Sequence, residues 1–222
     1  PQGVKKIGPG MKLGKGMQFF AYWTYPLHVT VEFDDEAPND AKLLEGLGYY
    51  RHVHSETFTQ EEFCLRLEPV FELWQRSGYW EYAHPWMETI LPWQTSQPFV
   101  ENVLANFPPN ALGPGGHILF WPCRTEASTV PLFKYPAGEN VLGWGILPGV
   151  PQQYVEEACA KLDMVSEMSI MVGGKRYLSG FLTFDTVEKW QNHFGDSWET
   201  IVAAKQQFDP NHILAPGLIQ YE

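Results

Sequence analysis

The sequence predicts an α+β fold in which an antiparallel sheet is covered by helices on one face. Three observations carry this. Strand-like and helix-like periodicities alternate along the chain, and capping residues mark the helix starts. No strand runs directly into the glycine-rich, phosphate-cradling turn that a doubly wound parallel fold uses.

Leu27, Val29, Val31 and Phe33 alternate with His28, Thr30 and Glu32, the period of a strand with one buried face. The charged run Asp34–Asp40, broken by Pro38, ends it. Residues 40–47 read as a short helix returning through Gly46 and Gly48 to a second strand near Tyr49–His54. Thr59 with Glu62 forms a capping box, so a helix starts near residue 60 with Phe63, Leu67, Phe71 and Trp74 on one face, bent or restarted at Pro69. Ser96 and Pro98 open another helix, striped by Phe99, Val100, Val103, Leu104 and Phe107 and stopped by Pro108-Pro109. Strands fit His117–Trp121 and Val141–Leu147. Pro151 begins a helix with Tyr154, Val155, Ala158 and Leu162 inward. The apolar runs Met168–Val172 and Tyr177–Phe181 flank Gly173-Gly174, which predicts a strand and a return. Asp185 with Glu188 is a second capping box, its helix stopped by Gly195. Asp196 is expected to cap the last helix, striped by Trp198, Ile201, Val202 and Phe208, and residues 209–222 to pack elsewhere.

The chain has 222 residues and 44% apolar content, enough for a sizeable core. Acidic residues outnumber basic ones, 26 to 15, and the net charge of −11 argues against a nucleic-acid partner. Nine tryptophans exceed what a core of this size ordinarily needs and point to a lined pocket or an interface. Cys64, Cys123 and Cys159 are widely spaced and form no C-x-x-C, so they read as reduced thiols. No apolar run has the length of a membrane span and no leader pattern starts the chain, so the expectation is a cytoplasmic protein with no membrane partner. Residues 1–24 read as a basic, Gly-rich lead-in: Pro1–Gln18 holds four lysines and no acid, the composition of a tail or a cut end.

Several familiar constellations fail on spacing. Gly10-Met-Lys-Leu-Gly14-Lys15-Gly16 has three residues between its glycines where a phosphate loop needs four, and Gly16 where that loop needs a hydroxyl. Ser55, Ser77 and Ser179 lie in no G-x-S-x-G context. His52 and His54 with Glu56 can share one side of a strand, but no complete ligand set accompanies them, and the expectation is no metal. The segment His84-Pro85-Trp86-Met87-Glu88-Thr89-Ile90-Leu91-Pro92-Trp93 differs in kind. Its two prolines stiffen an extended path, it carries two indoles, and Glu88 sits among apolar neighbours where burial costs free energy unless a donor or a polar ligand group satisfies it. Glu88 is therefore either a ligand contact or a salt-bridged structural residue.

At this point the sequence resembles the cytokinin dehydrogenase type of FAD-linked oxidase, within the flavoprotein group related to vanillyl-alcohol oxidase. The signatures occur in family order: Leu47-Gly48-Tyr49-Tyr50, Phe63 with Arg66, Gly78-Tyr79-Trp80, His84-Pro85-Trp86, Gly113-Pro114, and Phe120-Trp121-Pro122. Then follow Tyr177-Leu178, Trp190 with His193-Phe194-Gly195, Trp198 with Lys205, Phe208-Asp209-Pro210, and Ile213-Leu214-Ala215-Pro216-Gly217.

The resemblance implies the distal part of a ferredoxin-like substrate domain over 25–208 and a tail, 209–222, that returns to an FAD-binding domain with no counterpart in these residues. It implies Trp86, Glu88 and Leu178 as substrate contacts and Tyr177, Ala215 and Leu218 as flavin contacts. The acidic residue that acts on the amine lies outside the matching portion, so no catalytic residue is assigned. Glu88 stands where plant enzymes have Asn, Val70 where they have Glu, and Ala215 and Leu218 where they have Ser and Gln. The implied activity is oxidation of a carbon–heteroatom bond of a small-molecule amine or alcohol by hydride transfer to FAD, with the chain inactive alone. Trp86, Trp93, Trp121 and Trp144 are the indoles offered for the pocket, two of them expected to line it. The implied partners are a small-molecule substrate, an FAD-binding domain or subunit and, through exposed apolar surface, a second copy of the chain. The alternative is a non-enzymatic small-molecule or protein-binding module that kept the fold without flavin.

Overall fold

The computed structural model describes residues 3–7 and 23–221. The glycine-rich stretch Gly10–Gly16 lies outside them. The chain forms two units, Pro1–Glu81 and Tyr82–Glu222. Among the described residues, no helix is long and apolar enough to cross a membrane.

The first unit is built on a three-stranded antiparallel sheet ordered β2-β1-β3, with β1 Gly3–Ile7, β2 Val29–Phe33 and β3 Ser55–Phe58. Its central strand thus lies inside the stretch expected to precede the fold. Two lysines in the middle of Gly3–Ile7 hide the strand pattern. Val4 is buried, and the Lys5 ammonium reaches the Asp40 carboxylate at 2.5 Å and the Pro38 carbonyl at 2.8 Å, partners remote in sequence. The strand expected at Tyr49–His54 lies further on, at β3, where Ser55–Phe58 pairs with Val4–Ile7.

Helix α1 covers only Asp40–Leu43, with the Asn39 side chain accepting from two backbone amides. The capping box is present: Glu62 N donates to Thr59 Oγ1 at 3.2 Å, and Thr59 N to the Glu62 carboxylate at 2.8 Å. Helix α2, Gln60–Cys64, therefore starts where expected. It restarts at Pro69 as α3, Glu68–Ser77, which Gly78 ends in the left-handed conformation at φ 76°.

The second unit holds a four-stranded antiparallel sheet ordered β5-β6-β4-β7: β4 Met87–Pro92, β5 His117–Arg124, β6 Asn140–Leu147 and β7 Lys175–Arg176. Helix α4, Trp93–Asn106, starts before the expected Ser96, and Pro98 lies inside it. Helix α5, Val155–Met171, continues through the run expected to be a strand. Leu162, Val165, Ser166 and Ser169 supply its buried stripe at helical spacing, a pattern that a short apolar window does not separate from a strand. Strand formation is then limited to Lys175–Arg176, and Tyr177–Phe181 is irregular.

The cap of α6, Val187–Phe194, is Thr186, which accepts from Lys189 N, whereas Asp185 pairs with the Lys189 ammonium. A 3₁₀ turn, Gly195–Ser197, leads into α7, Trp198–Phe208, so Asp196 does not cap it, and Phe208 points to solvent.

Helices α4 and α5 cover one sheet face. Phe99 meets Trp144 edge-on at 5.3 Å, and the Thr89 and Ser169 hydroxyls are 3.2 Å apart. Met87, Leu91, Trp144, Ile146 and Leu162 fill this layer and are almost wholly buried. A second cluster joins Phe184, Trp190, Phe194, Trp198 and Ile201. The tail expected to pack elsewhere sets Ile219 and Tyr221 against this cluster.

Asp209 ties the tail to α7. Its carboxylate is ion-paired with Lys205 and accepts from Ile213 N at 2.9 Å and Leu214 N at 3.0 Å. The Lys205 ammonium, first among the causes, holds the Asp209 carboxyl below its ordinary range. Because the folded form binds its proton less readily, this contribution is complete above the unfolded value of about 4 and is lost as pH falls through the folded one. We expect Asp209→Asn to reduce the loss of thermal stability below about pH 4 relative to the parent chain, as read by circular dichroism melting across pH.

Candidate functional site

The sheet face turned away from α4 and α5 takes its shape from β6, whose sequence Asn-Val-Leu-Gly-Trp-Gly-Ile-Leu sends Trp144 to the helices and turns Gly143 and Gly145 the other way. Neither glycine has positive φ, so each is there for space. A Cβ on Gly143 would lie 2.0 Å from Trp121 Nε1, and one on Gly145 would lie 3.0 Å from Glu88 Cγ. The Trp121 indole and the Glu88 stem therefore rest on bare backbone. The register puts Glu88 and Leu119 on either side of Gly145, and Ile90 and Trp121 on either side of Gly143.

Buried Arg176 fixes the edge of this face. Its guanidinium donates to Glu88 O at 2.9 Å, Ser166 Oγ at 2.7 Å and Phe181 O at 2.8 Å. Burial pushes its pKa down to about 10, partly offset by Asp163, Glu88 and Glu167, and it remains a cation at neutral pH. The irregular segment after it is sewn to β4: Tyr177 N donates to Glu88 O at 3.2 Å and Phe181 N to Trp86 O at 2.6 Å. Gly180 at φ 63° makes the close approach possible, since a Cβ there would lie 2.2 Å from Trp86 O. The Ser179 hydroxyl then donates to the Glu88 carboxylate. Lys175 closes the C-terminus of α6 by donating to Asn192 O and His193 O. Burial, with Lys175, Lys134 and Arg176 nearby, takes the His193 imidazole down to about 4 and keeps it neutral.

The fold gathers four of the expected residues. Trp86, half-buried at the foot of β4 beside the His84 ring at 6.1 Å, is joined through the Tyr177–Phe181 segment to Glu88, Tyr177 and Leu178. The Tyr177 and Leu178 side chains are exposed, and the Phe133 ring meets Tyr177 at 5.6 Å. Ala215, at φ 47°, and exposed Leu218 belong to the tail. No hydrogen bond among the described residues links them to Glu88, Tyr177 or Ser179. Trp144 is core on the helical face and Trp93 is the exposed first residue of α4; of the offered indoles, Trp121 lies on Gly143 in the row next to Glu88, and Trp86 is tied to the same segment through its backbone carbonyl. His52 pairs with Asp40 and His54 with Glu56, two separate contacts of 3.2 Å, and no cluster among the described residues has the donors to hold a metal.

Arg176, Ser179 and Phe133 join these residues without a sequence motif of their own. The legible signal was the alternation of glycine with tryptophan in β6, since a glycine inside a strand marks close approach of another group. A separate cavity of about 410 Å3 lies between the Phe107–Pro114 loop, Pro148–Pro151 and the start of α5, and none of the expected site residues lines it.

A flavin is a flat ring system with polar edges. The described residues offer it apolar surface in the exposed Tyr177 ring and the apolar tail. These fit the ring rather than its phosphates.

An antiparallel α+β domain with one face packed and the other holding an aromatic, carboxylate-bearing site has the construction of a substrate domain of an FAD-linked oxidoreductase. The model of the family described as "Cytokinin dehydrogenase 1, FAD and cytokinin binding" matches residues 21–220, and the chain belongs to this family. It is similar to "Uncharacterized oxidoreductase ORF5 in fasciation locus" of Rhodococcoides fascians, 27% identical over 181 residues that cover 81% of this chain and 41% of that protein. It is also 28% identical to cytokinin dehydrogenase 4 of Oryza sativa subsp. japonica and 27% identical to cytokinin dehydrogenase 1 of Arabidopsis thaliana. Each of these matches covers 87% of this chain, against 38% and 35% of the respective relative. The chain thus spans about two fifths of the length of these relatives.

Two substitutions test the construction. Gly143→Ala drives a methyl into the Trp121 indole, and a loss of about 1–3 kcal/mol with a shifted tryptophan emission is expected. Arg176→Met leaves three acceptors without their donor, and urea unfolding is expected to show a loss of about 2–4 kcal/mol.

Proposed function

We propose that this chain is the substrate-binding portion of an FAD-dependent oxidoreductase that oxidises a carbon–heteroatom bond, in an amine or alcohol, of a small molecule. Bound FAD supplies the hydride acceptor. The chain's own residues bind and orient the substrate and keep water from it: Trp86 by flat contact, Leu178 by apolar contact, and Glu88 by accepting a hydrogen bond. Tyr177, Ala215 and Leu218 serve the flavin side, the last two through apolar contact and backbone amides. The observation that carries the reading is the union of Trp86, Glu88, Tyr177 and Leu178 by the hydrogen bonds of the Tyr177–Phe181 segment.

The exposed Phe208, Ile213, Leu214 and Leu218 side chains support the tail as the surface offered to a flavin-binding domain or subunit. The three free thiols support a reducing, cytoplasmic setting.

The 222 residues purified by themselves are expected to carry no stoichiometric FAD and to reduce no dye with amines or alcohols. They are expected to bind small aromatic ligands with quenching of tryptophan fluorescence, and Trp86→Ala to weaken this binding roughly tenfold or more. Turnover by the isolated chain would overturn its dependence on a further flavin domain. Binding that ignores Trp86→Ala would overturn the pocket. Tight ligand binding in a cellular complex that contains no flavin would favour the alternative, a binding module that kept the fold, which the departures at Val70, Glu88 and Leu218 motivate.

A further inference from the structure

The backbone of Tyr177 is fixed while its side chain is not. The amide donates to Glu88 O at 3.2 Å, and the carbonyl accepts from Ser179 N at 2.7 Å. The ring stands partly in solvent, and among the described residues its hydroxyl has no hydrogen-bond partner. A backbone held in this way leaves more than one staggered side-chain position open, so a neighbour has to choose between them. Among the described residues the ring that meets it is Phe133, edge-on at 5.6 Å with 73° between the planes.

Phe133 comes from the connection between β5 and β6, and several contacts hold that connection in place. Thr125 closes its base, donating from N to Glu139 O at 2.9 Å and from Oγ1 to Gly138 O at 2.7 Å. Pro131 and the buried Pro136 restrict the backbone on either side of Phe133. The Lys134 ammonium, next in sequence, donates to Ser197 Oγ at 2.5 Å, at the start of α7. The Phe133 ring also lies against Tyr135 at 6.3 Å. It therefore reaches Tyr177 from a held position, yet it is 38% exposed and belongs to neither buried layer.

An aromatic ring that fills no core layer contributes little to the fold, and an edge-on contact uses one face or rim of its neighbour and leaves the rest open. Building on the reading of Tyr177 as a flavin-side residue, we infer that Phe133 is a positioning residue for flavin binding, holding the Tyr177 ring in the orientation in which its open surface meets the isoalloxazine. Phe133 acts through Tyr177 and does not itself touch the flavin. Without it the Tyr177 ring samples other orientations, and binding has to restore the productive one at a cost in affinity.

Lumiflavin carries the isoalloxazine without the ribityl chain or phosphates and probes this contact on the 222-residue chain. Its dissociation constant is measured by titrating flavin fluorescence against the parent, Phe133→Ala, Tyr177→Ala, the double variant and Phe133→Tyr. Fluorotyrosine labelling, with the Tyr177 signal assigned by its loss in Tyr177→Phe, reads the ring directly by fluorine NMR. Each alanine variant is expected to weaken lumiflavin binding by about three- to tenfold, and Phe133→Ala to add less than about twofold once Tyr177 is alanine. Phe133→Tyr, which keeps the ring, is expected to bind as the parent does, and Phe133→Ala to move the Tyr177 fluorine signal. Equal weakening by Phe133→Ala in both backgrounds would overturn the positioning role and leave Tyr177 a flavin contact. So would an unmoved fluorine signal, or binding that Tyr177→Ala weakens and Phe133→Ala does not. Binding indifferent to Tyr177→Ala, or no binding of lumiflavin, would overturn the flavin-side reading of Tyr177 and the inference with it.

Discussion

The edge of the sheet that carries Glu88 is held by one buried cation. Arg176 joins three pieces of chain that approach from different directions: α5 through Ser166, β4 through the Glu88 carbonyl, and the irregular Tyr177–Phe181 segment through the Phe181 carbonyl. A guanidinium removed from water loses hydration that hydrogen bonds must replace, so the three acceptors have to stay where they are. Geometry propagates from there. With Phe181 and Glu88 held, the peptide at Gly180 is forced against Trp86 O, and Ser179 arrives at the Glu88 carboxylate. The candidate site is thus preorganised from behind, by a residue that does not face it.

The division of labour between the sheet faces explains where the chain tolerates change. Met87, Thr89, Leu91, Trp144 and Ile146 lie under the helices with almost no exposure, and substitution there costs packing energy. The family departures fall elsewhere: Glu88 and Val70 are half-buried, and Ala215 and Leu218 are exposed. None of the four fills the tightly packed core layers, so exchange at these positions carries little penalty in stability.

Much of the fold was legible because its signals are local. The Thr59–Glu62 capping box, the restart at Pro69 and the strands beginning near His117 and Val141 all follow from neighbouring residues. Structure and local pattern part where distant partners decide. Gly3–Ile7 is a strand because β2 and β3 flank it and Asp40 neutralises Lys5, none of which its own composition reveals. Met168–Met171 is helical because α5 keeps its buried stripe for another turn, and an apolar run of that length is ambiguous by periodicity. In the site, the His-Pro-Trp segment and Glu88 stand out by their chemistry, whereas Arg176 and Ser179 carry no motif and meet Glu88 from some ninety positions away.

The two glycines of β6 then set what the site can be. With side chains at Gly143 and Gly145, the face would be ordinary sheet surface, with Trp121 and Glu88 pushed outward into water. Without them, an indole and a carboxylate lie low against the backbone in neighbouring rows of the same face, an apolar plane beside a single acceptor. A plane alone would bind any flat molecule weakly, and a solvated carboxylate alone would bind any cation weakly. Here the Arg176 guanidinium holds the backbone of Glu88 and Phe181, and the Ser179 hydroxyl donates to the carboxylate, so the acceptor keeps one orientation against the β6 backbone.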